Sequence, residues 1–263
     1  MRWFLFGDCR ASPEFDPNGT VTGFDEHFYA DMDTALAIAQ KHNIYLIPVL
    51  LDFHLADKAK NDNGVQLGGR SALIANLRTR ESFLDKAIKP LLERYGKNRN
   101  IIAWDVINEP EGAMVIAGGK WVAESVGAEA MQSFVKDAVD CIHAHSSQHA
   151  TLGSAARHWL SYWKDSKLDF YQFHYYDNRE SQSPLDYPCA NLELDRPCIV
   201  GEFPTKNTKR TMTQYLDTIW NNGYAGALAW SYRGTDGASA FHSAAGKFAA
   251  WAEAHNSELG IRR

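Results

Sequence analysis

The feature that most constrains this chain is an alternation: short runs apolar on both faces, separated by stretches whose apolar residues recur every three to four positions. Runs at 2–6, 45–52, 101–107, 150–154, 169–176, 198–203 and 225–232 have the length of strands. A strand apolar on both faces must be covered on both, which is the situation of parallel strands packed between helices. The stretches between them supply those helices. Residues 25–42 gather Phe28, Met32, Leu36 and Ala39 on one face, and 129–145 gather Met131, Phe134, Val135, Ala138 and Ile142. In 81–95 the face is Phe83, Ala87 and Leu91, with Pro90 set to kink it and Gly96 to end it. Two more helices are expected around 212–220 and 244–255. Such an order gives an α/β fold, either an open doubly wound sheet or a closed barrel. With no linker and no repeat in 263 residues, one domain over 1–263 is expected.

The motifs that would favour the open sheet are missing. No GxGxxG or GxxxxGK[ST] follows a strand. Gly118–Gly119–Lys120 resembles a piece of a phosphate loop, but Met114 stands at the first glycine position and Trp121 replaces the Ser or Thr, so a plain loop is expected. A net charge of −5, with basic residues scattered, excludes the basic stripe of a nucleic-acid binder. No apolar run reaches the roughly 18 residues of a membrane span. The start, MRWFLF, lacks the basic-then-apolar order of a signal peptide, which implies a cytoplasmic protein if Met1 is the natural start. Cys9, Cys141, Cys189 and Cys198 show no CxxC spacing; Cys189 and Cys198 flank a short loop, as a disulfide or as two thiols. His143 and His145 are two apart and do not share a helix face, and His149 falls beyond the expected helix end. That is a solvated helix end rather than a zinc site, and no metal or cofactor is implied.

Two carboxylates stand where barrel chemistry is done, at the C-terminal ends of strands. Glu109 ends IIAWDVINEP and Glu202 ends CIVGEFP, each next to a proline or one residue from it. One acid at a strand end is most often an ion-pair partner. Two in matching form, one beside Asn108, suit a reaction that needs a nucleophile and a proton donor. A chain with 12% aromatic residues, eight tryptophans among them, supplies candidate stacking platforms, although most of the rings are expected in the core.

WDVINEP, FHYYD, GEFP and LAWSY, in this order, resemble the clan A glycoside hydrolases, in particular the family 5 cellulase and mannanase group, over nearly the whole chain. The resemblance implies a (β/α)8-type barrel with seven recognisable strands, and retaining hydrolysis of β-glycosidic bonds in a β-glucan or β-mannan. It assigns Glu109 as acid/base and Glu202 as nucleophile. Asn108 would bind the sugar 2-hydroxyl, Arg2 would orient the nucleophile, and His54 would match the histidine ending the family's third strand. His174 and Tyr176 match an HxY motif whose tyrosine bonds to the nucleophile, and Trp230 would be the platform under the sugar at the cleavage point. Bland roles compete: Arg2 as an ion-pair partner of Asp105, His54 and His174 as rim or core residues, Trp230 as a cap on the core.

One departure is visible. The glutamates fall on the third and sixth strands counted here, where the family has the fourth and seventh, so the first βα unit is missing from the count. Open edges at 2–6 and 225–232 would then invite pairing with a second copy, or be covered by residues 259–263. The alternatives to an endo-acting glycanase are an exo-β-glycosidase or transglycosylase, and a truncated sugar-binding protein with little turnover. In every case the expected partner is an oligo- or polysaccharide, with no nucleic acid and no membrane.

Overall fold

Most of the both-faces-apolar runs become strands buried on both sides; the first and the last, Arg2–Phe4 and Ala227–Trp230, are only part-buried. In the computed structural model, which describes residues 1–259, the chain packs as two units: Met1–Ala155 with Trp159–Tyr171, and Ala156–His158 with the chain from Gln172 onward.

The first unit is built on four parallel strands in sequence order, β1 (Arg2–Phe4), β2 (Ile47–Asp52), β3 (Ala103–Asn108) and β4 (His149–Ser154). Every residue of β2 and β3 is buried. Register places Arg2 beside Ile47, Asp52 beside Asn108, and Asn108 beside Gly153, so polar groups collect at the C-terminal ends. The sheet is covered by α1 (Phe28–Lys41), α2 (Leu77–Phe83), α3 (Lys89–Tyr95) and α4 (Ala128–His145). α1 buries Phe28, Met32, Leu36 and Ala39, and α4 buries the five residues read from its periodicity together with Val139.

Pro90 acts on the backbone one turn early. A proline ring collides with the carbonyl four residues back, and here the turn before α3, Leu84–Ile88, widens into a π-helix that shifts this register. Gly96 does end α3, but at φ −65° rather than in the left-handed region usual for such a glycine. Its need is space: a Cβ there would lie 2.4 Å from the Leu92 carbonyl oxygen and 2.8 Å from that of His145.

The second unit takes up the chain within β5 (Tyr171–His174) and continues with β6 (Cys198–Pro204) and β7 (Ala227–Trp230). β6 and β7 run parallel, Val200 beside Ala227 and Pro204 beside Trp230, with a register shift between Val200 and Phe203. α5 (Met212–Asn221) starts on a capping box in which Thr211 and Gln214 bond each other's backbone N–H; α6 (Phe241–Ala254) follows β7. Phe203 on β6 packs against Tyr215 of α5 and Phe248 of α6. Gly201 precedes Glu202 because a Cβ would sit 2.3 Å from the Gln172 amide oxygen.

Among the described residues seven strands thus form besides two short antiparallel hairpins, four in the first unit and three in the second, with Glu109 just past the third and Glu202 in the sixth. Several are shorter than the apolar runs, because the run outlasts the ladder: Leu5 and Phe6 still donate to Val49 and Leu50, and Tyr175 to Glu202, as the chain turns away. The 118–120 segment is a loop. Residues 260–263, part of the segment considered as an edge cover, lie outside the described residues. Among the described residues no helix is long and apolar enough to cross a membrane.

Candidate active site

In the first unit the end of β3 presents Asn108, with Glu109 immediately after it. Asn108 and Glu109 precede Pro110, and a residue before proline is pushed out of the right-handed helical region. Glu109 answers with φ 46° and ψ 50°, a left-handed conformation unusual for a residue with a side chain. Its N–H is held by the Gly153 carbonyl at 2.7 Å and its carbonyl by Gly112 N–H at 2.9 Å, closing the short turn Pro110–Ala113.

Asn108 is oriented by a chain of bonds. Its Oδ1 accepts from Arg2 Nη2 at 2.7 Å, and its Nδ2 donates to Asp52 Oδ2 at 2.7 Å. The second hydrogen of that amide is available to a ligand hydroxyl. Arg2 Nε also donates to Asp105 Oδ2 at 2.7 Å, a pair almost wholly buried. So Arg2 is the ion-pair partner of Asp105 and the orienter of Asn108 at once. Asp52 caps the turn that follows β2 by accepting from His54 N–H. Burial raises the Asp52 pKa, with the negative charge of Glu109 adding to it, while the His54 N–H and Asn108 pull the other way. His54 itself lies on the rim: its side chain is half exposed and its Nδ1 is 2.7 Å from Asp57.

An aromatic group lies near these strand ends. Phe53 stacks edge-on against Trp121, whose ring centroid is 6.1 Å from that of Trp159. Trp121 is 36% exposed, so it offers indole surface to a flat, weakly polar ligand such as a sugar ring.

In the second unit Glu202 is buried at the C-terminal end of β6. Its Oε2 accepts the Tyr176 hydroxyl at 2.7 Å and lies 3.5 Å from His174 Nδ1. His174 ends β5, and Tyr176 opens a turn at Asp177–Arg179. That turn is pinned by Asp177, which accepts the hydroxyls of Tyr175 and Tyr215 and the N–H of Lys209. Trp230 ends β7: its indole N–H bonds Asp236 at 2.8 Å, its carbonyl accepts from Thr205, and the peptide bond to Ser231 is cis. A cavity of about 350 Å³ opens beside Tyr176, lined by Asn178, Pro204, Lys206 and Asn207 among others.

The histidines at the end of α4 and just beyond it fall on carboxylates. His143 bonds Asp169 at 2.9 Å, His149 lies 3.9 Å from the same group, and His145 is 3.8 Å from Glu93. Cys189 and Cys198 are free thiols that influence each other: the Cys198 side chain holds the Cys189 pKa down at about 7, while Cys189 and burial push that of Cys198 up.

Sequence reasoning passed over Asp52, Asp177 and, above all, Glu111. The signal for Glu111 was there: it is the one charge in PEGAMVI, an otherwise apolar segment following a strand. It is fully buried.

Known proteins resemble the chain along most of its length. The profile described as Cellulase (glycosyl hydrolase family 5) matches residues 10–236. A mannan endo-1,4-beta-mannosidase of Mytilus edulis is 26% identical, the alignment covering 88% of this chain and 72% of that protein. A second, from Cryptopygus antarcticus, is 25% identical over 88% of this chain and 69% of that one. The crystal structure of endo-1,4-beta-mannanase from Eisenia fetida superposes with a TM-score of 0.81 at 25% identity, covering 93% of this chain and 77% of the other. The fold class is accordingly α/β, a (β/α)8-type barrel in which seven strands are recognisable. On this evidence the chain is a glycoside hydrolase and belongs to glycosyl hydrolase family 5.

Proposed function

We propose that this protein hydrolyses internal β-1,4 bonds of mannan with retention of configuration, Glu202 acting as nucleophile and Glu109 as acid and then base. The observation that carries the assignment is the Glu202 carboxylate, buried at a strand end with the Tyr176 hydroxyl 2.7 Å from Oε2. A buried acid held on one oxygen by the Tyr176 hydroxyl is fixed in place for attack. Glu202 attacks the anomeric carbon as the bond to the leaving oxygen breaks, and Glu109 gives that oxygen its proton. Water then displaces Glu202 while Glu109 takes the water's proton, which regenerates both acids. The second Nδ2 hydrogen of Asn108 is suited to the sugar 2-hydroxyl, where bonds strengthen toward the transition state. His54 and Trp230 complete the sugar-binding set, His54 from the rim and Trp230 as a ring platform.

Mannan is preferred to glucan because the proteins named above at 25–26% identity are mannan endo-1,4-beta-mannosidases. The test is a panel of β-1,4-mannan, β-1,4-glucan and aryl β-glycosides. A fall in mannan viscosity ahead of reducing-end release, and first-formed product of β configuration by NMR, are expected. Inverted product would exclude the double displacement. Release of sugar only from chain ends would favour the exo-acting reading, and binding without turnover the sugar-binding one.

A further inference from the structure

We infer that Glu111 is a positioning residue for the acid/base: its carboxylate clamps the turn that carries Glu109 onto the end of β4. The inference rests on the assignment of Glu109 proposed above. Glu109 reaches into a left-handed backbone conformation that a side chain makes costly, so something must hold it there. One anchor is its own N–H on the Gly153 carbonyl. The second is Glu111, two residues on. Its Oε1 accepts from the Ser154 hydroxyl at 2.7 Å and the Trp163 indole N–H at 2.8 Å, and its Oε2 accepts from Ala155 N–H at 2.9 Å.

The two anchors therefore grip three consecutive residues of one strand end, 153, 154 and 155, from either side of Pro110. A peptide fixed at both ends of a proline has little freedom to rotate. The Glu111 carbonyl carries the grip outward, accepting from Met114 at 3.2 Å and Lys120 at 3.3 Å. A fully buried carboxylate is expensive, and burial indeed raises the pKa of Glu111 against the pull of those three donors and of its own backbone N–H. A leucine would fill the space at lower cost but could fasten nothing. The geometry is that of a bracket for the neighbouring acid.

Glu111→Gln keeps the shape, yet its NH2 must face one of three donors. Ser154→Ala is the milder second variant, removing one donor and leaving the buried acid in place. Each is assayed on β-mannan, whose leaving group needs a proton, and on a dinitrophenyl β-mannobioside, whose leaving group does not. The fraction of competent enzyme is counted by labelling Glu202 with an activated 2-fluoro glycoside, and Glu109→Ala serves as the reference. Expected for Glu111→Gln is a loss of kcat on mannan of roughly ten- to a hundredfold, the order produced by a misplacement of about 1 Å. The loss on the activated substrate is smaller and comes with a lower KM, because the glycosyl-enzyme accumulates when the base is displaced. Ser154→Ala gives the same pattern at lower amplitude. Equal losses on both substrates, or losses matched by the labelled fraction, would reduce Glu111 to a fold residue and overturn the inference. If Glu109→Ala itself loses equally on both substrates, the acid/base assignment fails and the inference falls with it.

Discussion

Replacing Arg2 by methionine tests how this end of the first unit is held together. The side chain is 5% exposed and its partner Asp105 is fully buried, so methionine leaves a buried carboxylate facing a thioether. Breaking one side of such a pair costs about 3–5 kcal/mol, because the surviving charge stays desolvated. Asp105 keeps the Gly153 N–H, but at 3.2 Å that bond is long and already counted. Asn108 loses the donor on its Oδ1 as well, worth about 1 kcal/mol. Taking about 5 kcal/mol in all, and roughly 2–4 °C per kcal/mol for a chain of this size, the melting temperature should fall by roughly 10–20 °C. Thermal and urea unfolding followed by tryptophan fluorescence give the number. The decisive comparison is the double mutant with Asp105→Asn. Removing both charges should cost less than the sum of the single changes, by about 1 kcal/mol or more. A melting temperature within about 2 °C of the parent for Arg2→Met, or strict additivity in the cycle, would refute the reasoning and return Arg2 to a purely functional role.

Tyr176→Phe removes the 2.7 Å hydroxyl from Glu202; a lost bond to a charged group, about 1.5–3 kcal/mol, should move the acid limb of kcat/KM to higher pH, read from a pH–rate profile. Trp121→Ala should raise KM on polymeric mannan and leave small aryl glycosides unchanged, since Trp121 stands out on the aromatic rim. Glu111→Gln should flatten the pH dependence of stability. A carboxyl whose folded pKa is raised is stabilising below its ordinary value of 4.5 and loses that contribution as pH rises toward the folded value, so the decline above pH 4.5 should shrink when melting is scanned against pH. Self-association through the edges of β1 and β7 is checked by sedimentation at micromolar concentration; a stable monomer would dismiss it.

The parallel strands were legible because a run apolar on both faces has few other uses. The helix faces were legible because Phe28, Met32, Leu36 and Ala39 share a spacing nothing else explains. What stayed hidden was short or depended on distant partners. The hairpins Glu14–Phe15 with Val21–Gly23 and Lys60–Asp62 with Val65–Leu67 are two- and three-residue strands, too brief to show a period. The π-turn before Pro90 leaves no mark in the sequence beyond the proline itself. The pair of Arg2 with Asp105, read from the sequence only as the alternative to a role for Arg2 at the nucleophile, does form: both interrupt apolar strands, and interrupted strands must settle their charges with each other.

Asp52 and Glu111 show why the same logic did not extend to the rest of the site. Their donors are not opposite charges but an amide, a hydroxyl, an indole and backbone N–H groups, from residues as far apart in sequence as 108, 154, 155 and 163. Neutral donors carry no charge pattern to read, and register alone brings Asn108 beside both Asp52 and Gly153. The consequence is a first unit whose buried acids are answered in two ways. Asp105 is balanced by a cation and belongs to the stability of the sheet. Asp52 and Glu111 are held by dipoles, which fix an acid's position without cancelling its charge, and those two flank Asn108 and Glu109. For the acid/base role proposed for Glu109, neighbouring acids placed by dipoles serve better than neutralised ones, since their negative charge helps the carboxyl keep the proton it has to give.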